Sequence, residues 1–392
     1  MHLLVSLLAT AVVAGSPLPP WQEGCLDIHA INSGRGECTF FILPDGTSIV
    51  VDAGEYVQPS NAKYKYVDPK PDAETRPYEV YARYIRHFLP EVCKGTLDYA
   101  VVTHYHIDHT GKQEEWMEPD PQRGYVLTGI SGLESEIPVR RFIDRAWPRL
   151  EQSRLEDTSK GIQFYPLFVE YACRHDGMKA SSFKVGSARQ LRLRHRPCRY
   201  RDFRIMNYAA SGIVWDGRRK VNVYEGKKMR ENGASCCFLL SYGDFDYYTG
   251  GDAGGNSATA LPVAESIGRS IEAMKADHHF SYHCMKDETM TVYQPQVVVA
   301  QVFTAREIQP DYQTVGHLLK DDVYPGPKRY FITNLDSSQV EAHPDEYAGI
   351  AGSNGHVVIR VMPGGSEFFV YLLDDTDFEY RVILADGPFK CK

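Results

Sequence analysis

His104-Tyr105-His106-Ile107-Asp108-His109 packs three imidazoles and a carboxylate into six consecutive residues. The run follows residues 97–103, an apolar stretch with the composition of a buried strand, and precedes Thr110-Gly111. On extended backbone, positions 104, 106 and 108 share one side, because side chains alternate with a period of two. His109 then turns in as the chain bends. Neutral imidazole and carboxylate are ligands for zinc, and also for manganese or iron. One isolated histidine is usually structural. Four ligand-type residues at this spacing, at a strand end, predict two neighbouring half-sites for metal ions.

Around this run the chain reads as alternating strands and helices. Residues 26–31, 38–43 and 48–51 read as strands separated by Gly34–Gly36 and by Pro44-Asp45-Gly46-Thr47, and the third runs into Asp52-Ala53-Gly54. Residues 55–77, rich in Tyr, Lys, Pro and Asp, read as a surface loop. Tyr81, Ile85 and Phe88 have helical spacing that stops at Pro90. Strands are expected at 138–144, 190–196, 236–241, 245–249 and 295–303, helices at 164–173 and 261–276, and three strands at 356–361, 367–373 and 379–384. Helices inserted among strands predict a layered α/β protein with mixed sheets.

Three further motifs have the residue types that a metal centre needs. Asp52 ends a strand, Asp252 sits in Tyr248-Thr249-Gly250-Gly251-Asp252, and His278-His279 follow a predicted helix. Asp52, before Ala53-Gly54, and Asp252, after Gly250-Gly251, also suit turns. With the HxHxDH run, their order resembles that of the metallo-β-lactamase superfamily. Within it, Glu231-Asn232-Gly-Ala-Ser235, then Tyr-Gly-Asp-Phe-Asp, the TGGD motif and the His pair look most like ComEC-type domains. The resemblance implies a four-layer αββα sandwich of two mixed β-sheets with helices outside, and two divalent metal ions, zinc first and manganese or iron as alternatives. His104 and His106 would hold one ion, and Asp108, His109 and one of His278 and His279 the other. Asp252 would bridge, and Asp52 would support from behind. Asp108, His278 and His279 are the expected catalytic residues, the non-ligating histidine of the pair donating a proton. The implied chemistry is hydrolysis of a phosphodiester, phosphate ester or related ester by metal-activated water. Two departures stand out. The third histidine for the first ion is replaced by a stretch carrying Asn232 and Ser235, and Phe280 stands where the related His-His-Gly-Ser pattern has glycine, which predicts a narrowed pocket or a reshaped loop. They motivate two alternatives: a binding protein of this fold with weak or no catalysis, and a lactone or β-lactam hydrolase.

The 392 residues are 43% hydrophobic and 24% charged, which excludes disordered, collagenous and polytopic membrane classes. A formal net charge of −8 gives no global attraction to nucleic acid or anionic membrane. The local exception is the arginine-rich segment between Arg189 and Arg204, read as a half-buried strand with a solvated basic face, or alternatively as a basic lip for a polyanionic substrate or nucleic acid. Leu3 to Val13 form an apolar run followed by small residues and prolines, so residues 1–18 read as a signal peptide although no Lys or Arg precedes the run. Secretion follows, and with it disulfides among the nine cysteines, at least one of which stays unpaired within the chain. No N-glycosylation sequon is present. One metal-binding domain is expected over residues 25–335, with 336–392 completing its second sheet.

Overall fold

The computed structural model describes residues 12–56, 67–150, 163–254, 257–305 and 309–392. The apolar run of the expected signal peptide, through residue 11, lies outside these. The N-terminal strands are β1 (Leu26–Ala30), β2 (Thr39–Ile42), β3 (Ser48–Val51), β4 (Tyr99–Val102), β5 (Arg141–Asp144) and β6 (Lys179–Ser182). Next come β7 (Phe203–Ala210), β8 (Ile213–Trp215), β9 (Lys220–Asn222), β10 (Cys237–Tyr242), β11 (Phe245–Thr249), β12 (Ala273–Lys275), β13 (Val297–Ala300), β14 (Arg329–Ile332) and β15 (Ile350–Ser353). The last are β16 (His356–Val361), β17 (Glu367–Leu373) and β18 (Val382–Lys390). They build two nine-stranded sheets, ordered β18-β17-β16-β1-β2-β3-β4-β5-β6 and β15-β14-β13-β12-β11-β10-β7-β8-β9.

Three cores stack these sheets into an αββα sandwich. Along β2, Phe40 and Ile42 face one core while Phe41 and the following Leu43 face another, and Phe238 and Leu240 alternate with Cys237 and Leu239 along β10. The central core joins Ile28, Phe41 and Val101 of the first sheet to Phe238, Tyr247 and Val299 of the second. The outer face of the first sheet is covered by the helices Pro77–Phe88 and Tyr165–Tyr171, through Tyr81, Ile85 and Phe168. Val263, Met290 and Val315, from three later helices, cover the second sheet. Strands covered on both faces must be apolar on both, which is why 49–51 and 297–300 read as continuous apolar runs.

Several expectations are corrected. The C-terminal strands join the first sheet, not the second: β16 pairs antiparallel with β1, from Leu26 opposite Val361 to Ala30 opposite Val357. The expected helix over 261–276 ends at Ile267, where Gly268 takes φ +63°, and its last third is strand β12. Residues 190–196 pair with no strand, although Leu191 and Leu193 are buried in the central core. Glu55, at the head of the expected surface loop, is buried and ion-paired to Arg76. None of the nine cysteines is paired. Four buried thiols lie in the cores, Cys38 in the first, Cys236 in the central one, Cys237 and Cys284 in the third, and adjacent Cys236 and Cys237 face opposite ways. No described helix is long and apolar enough to cross a membrane.

Candidate metal centre

β4 ends at Val102, and only residues 103–106 continue as open chain. Asp108 and His109 lie in the first turn of the short helix Ile107–Thr110. The strand-like alternation expected out to Asp108 therefore stops at His106, and the helical turn swings Asp108 and His109 inward. Three loops lock this geometry through the backbone. Glu37 N donates to Asp108 O, Ala53 N to His109 O and Gly54 N to Glu37 O. The approach is so close that a Cβ on Gly54 would fall 1.7 Å from the Asp108 carbonyl oxygen. Gly54→Ala is therefore expected to force these loops apart, at about 1–3 kcal/mol of stability. Denaturant titration and bound-metal stoichiometry check this, and both should drop together.

Asp252 is the focus of the centre. Its Oδ2 lies 3.3 Å from His109 Nε2, 3.5 Å from His279 Nε2, 3.7 Å from His104 Nε2 and 3.9 Å from His278 Nε2. Asp108 Oδ2 is 3.2 Å from His279 Nε2 and 3.8 Å from His109 Nε2. His106 Nδ1 is 3.2 Å from His104 Nε2. Asp52, Asn232 and Ser235 stand behind these groups. Asp52 Oδ2 accepts from His109 Nδ1 at 2.8 Å and from Thr103 Oγ1 at 2.7 Å, and Thr103 Oγ1 lies 3.1 Å from His104 Nδ1. One carboxylate thus orients two imidazoles, the second through a hydroxyl. Ser235 Oγ accepts from the Asp252 backbone N–H, and Asn232 Nδ2 lies 3.3 Å from His278 Nε2.

The histidine pair divides by environment. His279 is buried, and its Nδ1 donates to the Gln301 carbonyl at 2.9 Å, which leaves the Nε2 lone pair facing Asp252 and Asp108. His278 keeps 26% of its side chain exposed, and its Nδ1 lies 2.8 Å from Ser281 Oγ. His278, His279 and Phe280 all have positive φ, of 48°, 54° and 62°. Three consecutive non-glycine residues in this region store strain, held here by the surrounding core. Of the two expectations for Phe280, a narrowed pocket or a reshaped loop, the narrowed pocket is not seen: Phe280 does not line the cavity, while the backbone through it is unusual. Its ring is fully buried beneath the second sheet, beside Tyr330.

Sequence inspection missed Glu37 and Lys275. Glu37, His109, Asp252 and His279 each offer a ligand atom within 4.8 Å of the others, as do His104, His106 and Asp252. Lys275 is buried, 3.0 Å from Glu37 Oε2 and 3.9 Å from Asp252 Oδ1. Nothing marked Glu37 beforehand, but a lysine within Ala273-Met274-Lys275-Ala276, immediately before Asp277-His278-His279, was a usable signal.

The donor set fits metal ions. Neither oxygen of Asp252 makes a hydrogen bond, nor does Nε2 of His109 or of His279, although all are buried. Orphaned buried donors and acceptors are rare, and converging ones point to a shared cation. The electrostatics agree. Burial alone would lift the Asp252 carboxyl, but the imidazoles of His109, His279 and His278 outweigh it and hold the group well below the ordinary range. Burial also disfavours charge on His109 and His279. Asp252, with the other carboxylates, overrides it, raising His109 well above its ordinary value and His279 to about 9. The carboxylates thus draw positive charge inward, as protons when no metal competes. Zinc must displace those protons, so its apparent affinity is expected to climb with pH, about tenfold per unit for each proton displaced. The share of the climb that belongs to His279 should end near its value of about 9. Chelator competition across this range, with calorimetry in two buffers to count released protons, checks the slope.

A cavity of about 640 Å³ opens over the centre, lined by His106, Asn232 and His278, with Tyr224, Lys228 and Arg230 among its other walls. None of the arginines between Arg189 and Arg204 lines this cavity.

No family model and no curated protein matches the sequence. Solved structures that resemble it include CmlA, a diiron beta-hydroxylase from Streptomyces venezuelae, at 13% identity and TM-score 0.41, covering 88% of this chain and 55% of that one. Zn(2+)-bound PqqB from Methylobacterium extorquens matches at 9% identity and TM-score 0.32, covering 64% of this chain and 72% of that one. The short form of human tRNase Z matches at 8% identity and TM-score 0.34, covering 70% of this chain and 91% of that one. This chain spans little more than half the length of CmlA. These likenesses are slight, and the chemistry of the centre rests on this chain's own sheets and side chains.

Proposed function

We propose that this chain is a secreted metal-dependent hydrolase of the metallo-β-lactamase superfamily, nearest in kind to its ComEC-type branch, acting on a phosphodiester or phosphate ester. The observation that carries the reading is the convergence of four imidazoles on one buried, unbonded carboxylate, Asp252. His104, His106 and Asp252 would hold one divalent ion, and Asp108, His109, His279 and the same Asp252 the other, with zinc the first choice. Such ions lower the pKa of bound water towards about 7 and so supply a nucleophile at neutral pH.

The chain's own residues do the rest. Asp52 holds His109 directly and His104 through Thr103, and the Gln301 carbonyl holds His279, so three imidazoles present Nε2 without rearranging. His278 lines the cavity between Ser281 and Asn232, where it is placed to pass a proton to a leaving oxygen. Arg230 brings a guanidinium to the cavity wall, which favours an anionic ester over a neutral lactone.

The test is turnover by the purified chain, supplied with zinc or manganese, on a phosphodiester, a phosphomonoester, a lactone, a thioester and a β-lactam, with His106→Ala beside it. Metal-dependent cleavage of a phosphate ester that His106→Ala abolishes is the expected result. Metal bound without turnover on any of them would leave a binding protein of this fold.

A further inference from the structure

The first sheet carries a second, separate feature at the opposite end of its strands. β5 and β6 begin side by side with Arg141 registered against Lys179. Like charges at paired positions repel, and a sheet gains nothing from placing them there. Around them Lys184, Arg189, Arg192 and Arg194 complete a ring of six cationic side chains lining a cavity of about 350 Å³. None of the six is ion-paired with a carboxylate among the described residues. Their neighbours in sequence behave differently, since Arg196 and Arg199 both pair with Glu23, at 3.0 and 2.9 Å.

The pocket is built and braced. Tyr99, which begins β4, donates its hydroxyl to the Arg192 carbonyl at 3.1 Å and so pins the arginine segment across the sheet end. Gln190 accepts from the Lys184 backbone N–H and donates to the Ser182 carbonyl, fixing the opposite wall. The buried side chains of Leu191 and Leu193 turn the alternating Arg192 and Arg194 outward, which orients their charge without a strand partner. An adjoining cavity of about 440 Å³ shares Arg141, Lys179 and Arg194 and adds Arg140. Its one carboxylate, Asp176, is engaged by Arg123 at 2.8 Å. From Tyr99 to His104 is about 16 Å of extended chain, so this pocket and the metal centre do not share a ligand.

We infer that this pocket binds a small, multiply charged phosphate anion, a polyphosphate chain free or carried on a nucleoside. Guanidinium groups suit phosphate oxygens through paired hydrogen bonds, and six uncompensated cations in a concave site exceed what a single phosphate group neutralises. The aromatic group here, Tyr99, has its hydroxyl committed to the chain's own backbone. The volume holds a few phosphate groups and not a duplex.

The experiment is calorimetric titration of the full chain, without added metal, with inorganic tripolyphosphate, ATP and a short single-stranded oligonucleotide. Saturable binding of tripolyphosphate at one site is expected, weakened by raised salt. Arg192→Ala with Arg194→Ala should lower the affinity at least about tenfold for each arginine removed. Arg196→Ala with Arg199→Ala, and separately His106→Ala, should each change it less than about twofold. Equal affinities for tripolyphosphate and ATP assign the ligand to the phosphate chain alone, and tighter binding of ATP assigns it to a nucleotide. The inference is overturned if neither phosphate binds, if only the oligonucleotide binds, or if both arginine pairs matter equally. A failed turnover panel leaves it standing, because no step of hydrolysis enters this titration.

Discussion

Asp252→Asn is expected to keep a near-native circular dichroism spectrum, lose at least one of two bound metal ions and lower hydrolysis by at least about a hundredfold. The substitution preserves size and shape, and asparagine tolerates the same turn. What it removes is the anionic oxygen that four imidazole nitrogens surround within 3.9 Å. Two dications sharing that oxygen would then face each other with their repulsion less compensated. The local protonation should respond as well. Asp252 leads the carboxylates that raise His109 and His279, so both imidazoles should titrate lower in the variant. Metal analysis and histidine NMR read the two effects separately. Retention of both ions with unchanged activity would show Asp252 to be a turn residue, and the proposed centre would lose its bridge.

Glu231→Ala is expected to cost about 3–5 kcal/mol of stability and to weaken metal binding with it. Glu231 and Arg145 form a bidentate pair, with Nε to Oε1 and Nη2 to Oε2 both at 2.7 Å, and both side chains are fully buried. Deleting the carboxylate removes the bidentate partner of a fully buried guanidinium. It also deprives the Tyr105 backbone N–H of its acceptor, Glu231 Oε1 at 2.8 Å, in the residue between His104 and His106. The Arg145 guanidinium lies 4.2 Å from the Tyr105 ring centroid, so the same loss loosens the packing under that loop. Glu231→Gln keeps one acceptor and should fall between the variant and the parent chain. Denaturant unfolding followed by fluorescence measures the difference, and a loss below about 1 kcal/mol would mean that the pair behaves like a surface bridge.

Much of the centre could be read in the linear sequence because its parts are local and chemically unusual. The HxHxDH run, the strand-end Asp52 and Asp252, and the adjacent histidines each stand out by residue type, and the structure brings them within a few ångströms of one another. Glu37 and Lys275 did not stand out in that way. A glutamate after a glycine turn looks like any solvated loop acid, and only the closure of two sheets buries it against His279 and Lys275.

By itself the sequence determined the layered α/β class, most strand positions and the imidazole and carboxylate types that gather at the strand ends, since alternation, turn residues and spacing act over a few neighbours. Tertiary structure alone decided which sheet receives the C-terminal strands, because β16 can pair wherever an open edge with complementary faces exists, and β1 offers one. It also decided which histidine of the pair is buried, a matter of backbone strain and a single carbonyl from Gln301. Finally, it decided that Arg192 and Arg194 meet Arg141 and Lys179 at the far end of the sheet from the metal centre. Charges distant in the chain share a pocket only when long-range strand order puts them there, and no local propensity encodes that order.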